Sequence, residues 1–61
     1  MEPPTTREVM ARLRREGFAL VKCTGDHRKF AKDGRVVIVP GQPGKHLKPG
    51  TWKSVKSQAG W

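Results

Sequence analysis

Sixty-one residues allow one domain at most, 1–61, and a chain this short buries only about 60% of the surface its unfolded form exposes, so its core must be thin. Thirteen Lys and Arg against five Asp and Glu give a formal net charge of +8 and a pI near 10.7, which predicts attraction to polyanions, nucleic acid first and acidic protein surfaces second. Cys23 is the only cysteine, which excludes an internal disulfide, and one Cys with two separated His residues does not make a zinc site. A partner protein is then the remaining support for so small a scaffold. A lone cysteine fits a reducing cytoplasm better than secretion. No apolar run approaches the roughly 18 residues of a membrane span, and Met1-Glu2-Pro3-Pro4 does not resemble a signal peptide.

Met1 to Pro4 reads as a flexible, extended leader, because consecutive prolines hold the backbone out of the helical region. Thr5-Thr6-Arg7-Glu8 has the form of a capping box, so a helix is expected to start there. Val9, Met10 and Leu13 share one face of it, and Arg12, Arg14, Arg15 and Glu16 occupy the others. Gly17 supplies the left-handed residue of a Schellman-type stop, with Phe18 folding back onto Leu13. Phe18 to Thr24 reads as a first strand, with Ala19, Val21 and Cys23 on one face. Cys23 is expected to be a small buried hydrophobe, since nothing nearby in sequence would activate its thiol.

Gly25-Asp26 is a turn, after which His27 to Lys32 runs back as a second strand. Asp33-Gly34 between two strand-like runs is a hairpin signal. Arg35 to Val39 is the third strand, whose unbroken β-branched run suggests the central or most buried one, and Pro40 stops it. Gly41 to Lys48 is a loop of glycines, a proline and bases. Pro49-Gly50-Thr51 opens a last helix in which Trp52, Val55 and Ala59 form the apolar stripe. Gly60 ends it, with Trp61 placed to pack back as Phe18 does. The class is α+β: helix, three-stranded antiparallel meander, helix, with both helices on one face of the sheet and the other face open.

The stretch that bears chemistry is Gly25-Asp26-His27-Arg28-Lys29-Phe30. With Phe30 inward, His27 and Lys29 point outward, and Lys22 on the preceding strand reaches the same face in a suitable register. Lysines and arginines hold phosphates, while an imidazole can take a proton from a 2′-hydroxyl or give one to a leaving oxygen. Nearby cations would also stabilise a phosphorane-like transition state. The plainer alternative is a solvent-facing histidine in a basic strand that contacts phosphate and does no chemistry. His46, in the loop, is the one other histidine available as a proton-transfer partner. Asp26 belongs to the turn more naturally than to His27, because adjacent strand residues point apart.

Several motifs in order, over nearly the whole chain, resemble the HicA family, the toxins of HicA and HicB toxin–antitoxin pairs. They are Arg7-Glu8-Val9, Gly17-Phe18, the Gly25 to Phe30 block, a Val-rich strand ending in Pro40, Pro49-Gly50-Thr51-Trp52, and Gln58-Ala59-Gly60. The resemblance implies a double-stranded-RNA-binding-like α-β-β-β-α fold and a ribosome-independent mRNA interferase, that is, a metal-independent endoribonuclease. It implies one catalytic histidine, His27 here, no metal or other cofactor, and a HicB-type antitoxin, expected to be acidic, that covers the site. With it, Lys22, Arg28, Lys29, Lys45, His46 and Lys48 become the expected RNA-binding residues. Asp26 stands where members often carry Ser, and Gln42 where many carry a further His, leaving His46 as its substitute. Two other readings stay open: a non-catalytic RNA-binding module of the same fold, and a domain whose charge chiefly serves an acidic protein.

Overall fold

The structure, a computed structural model, describes residues 2–61. Both arms of the capping box form. The Glu8 amide donates to the Thr5 hydroxyl at 3.1 Å, and the Thr5 amide donates to the Glu8 carboxylate at 2.8 Å. Helix α1 therefore begins at once and runs Thr6–Arg15, burying Val9, Met10 and Leu13. It stops in a Schellman motif. Gly17 takes φ +94°, its amide donates to the Arg14 carbonyl at 3.0 Å, and the Phe18 amide donates to the Leu13 carbonyl at 2.9 Å. That bond turns Phe18 into the core, so β1 is Ala19–Thr24, one residue shorter than expected.

Strands β1, β2 (His27–Lys32) and β3 (Arg35–Val39) form an antiparallel sheet in the order β1-β2-β3. At the second hairpin Asp33 and Gly34 have φ +49° and +80°, the signs a two-residue type I′ turn demands, which is why Asp-Gly stands there. The β-branched run marks β3 as the most buried strand, not the central one. Two successive hairpins put β2 in the middle, and β3 is an edge strand that is well buried because helix α2 packs on it.

The expected single face for Ala19, Val21 and Cys23 is also corrected. Pairing slips between Leu20 and Lys22, so Val21 is an extra residue. Ala19 then pairs with Ala31 but Cys23 with Arg28, and those partners lie on opposite faces of β2. Cys23 is exposed, not buried. No residue of β1 is buried, for the helices cover only the part of the sheet built by β2 and β3.

Helix α2 runs Pro49–Ala59 and ends as α1 does, with Gly60 at φ +77° and the Trp61 amide donating to the Lys56 carbonyl at 2.8 Å. The Trp61 indole N–H donates to Glu16 at 2.8 Å, and the Arg12 guanidinium lies 3.9 Å from the ring centre. The C-terminal ends of the two helices are thereby tied together. Between them and the sheet sits one core of Val9, Leu13, Phe30, Val37, Val39 and Val55, closed at one end by Leu47 from the loop. The order is α-β-β-β-α and the class α+β, as the sequence indicates.

Residues 40–48 are stitched to the start of the chain. The Thr6 hydroxyl donates to the Pro40 carbonyl at 3.1 Å, the Thr6 and Arg7 amides donate to the Lys45 and Pro43 carbonyls, and the Leu47 amide donates to the Pro4 carbonyl. These bonds fix the loop beside the first turn of α1. Met1 of the leader lies outside the described residues.

Candidate nucleic-acid interface

The register of β2 decides what surrounds His27. Thr24 pairs with His27 and Lys22 with Lys29, while Lys29 also pairs with Ile38 across the second ladder. Alternation then puts Lys22, Thr24, His27, Lys29 and Ile38 on the face the helices leave open. Together with Arg28 they line a shallow depression of about 230 Å³. Lys22 joins that face because of the bulge, which restores its alignment with Lys29.

His27 is exposed and also lines a second groove, of about 370 Å³, against α2. Its far wall is Thr51, Ser54 and Gln58, with Pro40 and Ile38 on the sheet side. Beyond Pro40 and Thr51, which belong to both, the surface opens into a larger depression of about 410 Å³ lined by Asp26, Gln42, Lys45, His46 and Lys48. The basic loop and the histidine strand therefore border adjoining depressions that meet at Pro40 and Thr51 and together form an open, shallow channel. Lys48 is the N-cap of α2 and gives its first turn no side-chain acceptor, and Gly50 and Thr51 of that turn line the groove.

The residues singled out from sequence separate into three groups. Lys22, Lys29 and His27 share the open face, and Lys45 and Lys48 line the adjoining depression. Arg28 starts from the opposite pleat yet also borders the depression beside His27, and its guanidinium donates to the Gly41 carbonyl at 2.7 Å, bracing the loop against β2. His46 is occupied as well. One ring nitrogen, Nδ1, lies 2.6 Å from the Pro3 carbonyl and the other, Nε2, 3.3 Å from a Glu2 carboxylate oxygen. It borders the channel from the leader side, and Asp26 is in the turn, lining the same depression.

Sequence reasoning missed Thr51, Ser54 and Gln58. The signal was there, because they repeat at the spacing of Trp52, Val55 and Ala59 displaced by one residue, a polar stripe flanking the apolar one. Nothing in the helix by itself says that this stripe meets His27, 24 to 31 residues earlier in the chain. Among the described residues no group of three His, Cys, Asp or Glu is placed to hold a metal ion, and no helix is long and apolar enough to cross a membrane.

These features define a class: a small basic α+β domain with a histidine set among lysines on the open face of a meander, beside a channel walled by a helix. The chain belongs to the HicA toxin family of bacterial toxin–antitoxin systems, whose family model matches residues 6–61. Membership makes the chain a toxin-family protein with a cognate antitoxin as its partner. A search of curated proteins gave no match.

Proposed function

We propose that this chain is an endoribonuclease of the mRNA-interferase type that needs no metal, acts free of the ribosome in the cytoplasm, and has His27 as its catalytic residue. The observation that carries the reading is the continuity of the channel, which joins His27 to lysines on both sides along a path an RNA backbone can follow. Lys22 and Lys29 hold phosphates on the sheet, Lys45 and Lys48 hold them beyond Pro40, and Arg28 and His46 border the path while fixing the loop and the leader. At the scissile phosphate the 2′-oxygen attacks phosphorus and the P–O5′ bond breaks. His27 takes the 2′-hydroxyl proton, and the departing 5′-oxygen gains a proton from the imidazolium or from water. The lysines offset the charge that builds on the phosphoryl oxygens. A HicB-type antitoxin, acidic where it meets this surface, would inhibit by covering the channel.

The test is to incubate wild-type and His27→Ala protein with a labelled single-stranded RNA in the absence of divalent metal. Cleavage and growth inhibition are expected to disappear in the variant while RNA binding and folding persist. Cleavage undiminished by the substitution would remove His27 from the mechanism. A second reading, an RNA-binding module without turnover, draws on the engagement of both His46 nitrogens with the leader, which leaves His27 without an evident second proton carrier. It predicts binding by both proteins and intact RNA from both.

A further inference from the structure

Gln58 is used more fully than an exposed glutamine on a helix surface requires. Its Oε1 accepts from the Ile38 amide at 2.8 Å, and its Nε2 donates to Ser54 Oγ at 3.0 Å. Its main-chain carbonyl accepts from the Arg35 guanidinium at 2.9 Å. Because β3 is an edge strand, the Ile38 amide has no strand partner on that side, and the glutamine side chain supplies the missing ladder acceptor. Helix α2 cannot roll or slide along β3 without breaking that bond. The bond to Ser54 has its own consequence: Ser54 Oγ is engaged as an acceptor, so its proton remains to be donated elsewhere. Ser54 lines the groove that holds His27, as does Gln58 itself.

We infer that the Ser54 hydroxyl donates to a phosphoryl oxygen of RNA bound against His27, and that Gln58 is a positioning residue that orients this hydroxyl and holds its helix in place. The inference rests on the ribonuclease reading of the groove. It makes the wall of α2 part of the reaction site, with Ser54 stabilising charge that grows as the 2′-oxygen attacks.

The experiment follows cleavage of a labelled single-stranded RNA by wild-type, His27→Ala, Ser54→Ala, Ser54→Thr, Gln58→Glu and Gln58→Leu proteins, with hydrogen exchange of the Ile38 amide in each. Gln58→Leu removes both side-chain bonds. Gln58→Glu keeps an acceptor for Ile38 but turns the Ser54 proton towards its own carboxylate. Ser54→Ala, Gln58→Glu and Gln58→Leu are each expected to lose on the order of a hundredfold in kcat, and Ser54→Ala to do so with KM nearly unchanged. Ser54→Thr restores activity. The Ile38 amide stays protected in Ser54→Ala and Gln58→Glu and exchanges faster in Gln58→Leu. If Ser54→Ala and Gln58→Glu cleave like wild type, Gln58 is only a structural tie and the inference falls while the ribonuclease reading stands. If the wild type does not cleave, or cleavage survives His27→Ala, both fall together.

Discussion

At the scale of single residues, neighbours in sequence have different tasks because strand alternation sends them to opposite faces. His27 and Lys29 face the open side, while Arg28 between them borders the same depression and also donates to the Gly41 carbonyl. The two kinds of basic residue should therefore respond differently to substitution. Lys22→Ala and Lys29→Ala are expected to weaken RNA binding and to lower the dependence of log affinity on log salt by about 0.7 for each phosphate no longer neutralised, with little change in melting temperature. Arg28→Ala should instead cost about 1 kcal/mol of stability, because the loop carbonyl loses its charged donor. Salt titration of binding, paired with thermal melts, separates the two. An equal drop in salt dependence in all three would mean that Arg28 also holds phosphate. His27 as a candidate was legible in the sequence, since its place in the Gly25 to Phe30 block and the inward Phe30 fixed its face. Ser54 and Gln58 were not, because a helix-to-strand contact between distant parts of the chain is what places them beside His27.

At the scale of elements, both helices close with the same device, and the closures meet. Glu16, in the cap of α1, accepts from the Trp61 indole and from Arg12 at 3.0 Å. Those hydrogen bonds, the indole's first, hold its carboxyl below the ordinary value of 4.5, and the backbone and hydroxyl of Thr5 do the same for Glu8 at the other end of α1. A carboxyl whose value is depressed by folding stabilises the fold above its unfolded value, and that stabilisation is lost as pH falls through the folded one. Thermal stability is thus expected to be flat near neutral pH and to decline below about pH 4.5. Trp61→Phe, which removes the indole donor, should soften that acid decline as well as lower stability at pH 7. Melts of both proteins across this range test it, and an identical acid limb in the variant would remove the Glu16–Trp61 bond from the explanation. The caps, the Asp-Gly hairpin and the order of elements were legible because each depends on interactions within a few residues. The bulge at Val21 was not, for no local signal in β1 announces the slip, and the β-branched run of β3 reads alike in a central strand and in a helix-covered edge, so that only the two hairpin turns placed it.

At the scale of the whole molecule, the thin core and the site depend on each other. Leu13 and Phe30 are fully buried, and the second lies three residues along β2 from His27. Leu13→Ala is expected to remove about 3 kcal/mol or more, a large share of what so small a domain has, and to lower the melting temperature by over about 10 °C. Toxicity in cells should fall with it through loss of folded protein, while the fraction that remains folded keeps its cleavage rate per molecule. A variant that melts normally but cleaves poorly would place Leu13 in the mechanism instead of the core. The net charge of +8 works against compactness through self-repulsion, so an acidic partner bound over the channel is expected to raise the melting temperature.

The sequence by itself determined the elements, their order, the buried stripes, the turns and the histidine block, because caps, hairpin residues and periodicity act over short distances along the chain. Only the tertiary structure decided where β1 bulges, where Lys22 comes to lie, that Arg28 and His46 are engaged in holding the loop and leader, and that α2 walls the groove beside His27. Each of these depends on strand register and on how one helix seats against the free edge of a sheet. Those are relations between segments far apart in sequence, which no local pattern can encode.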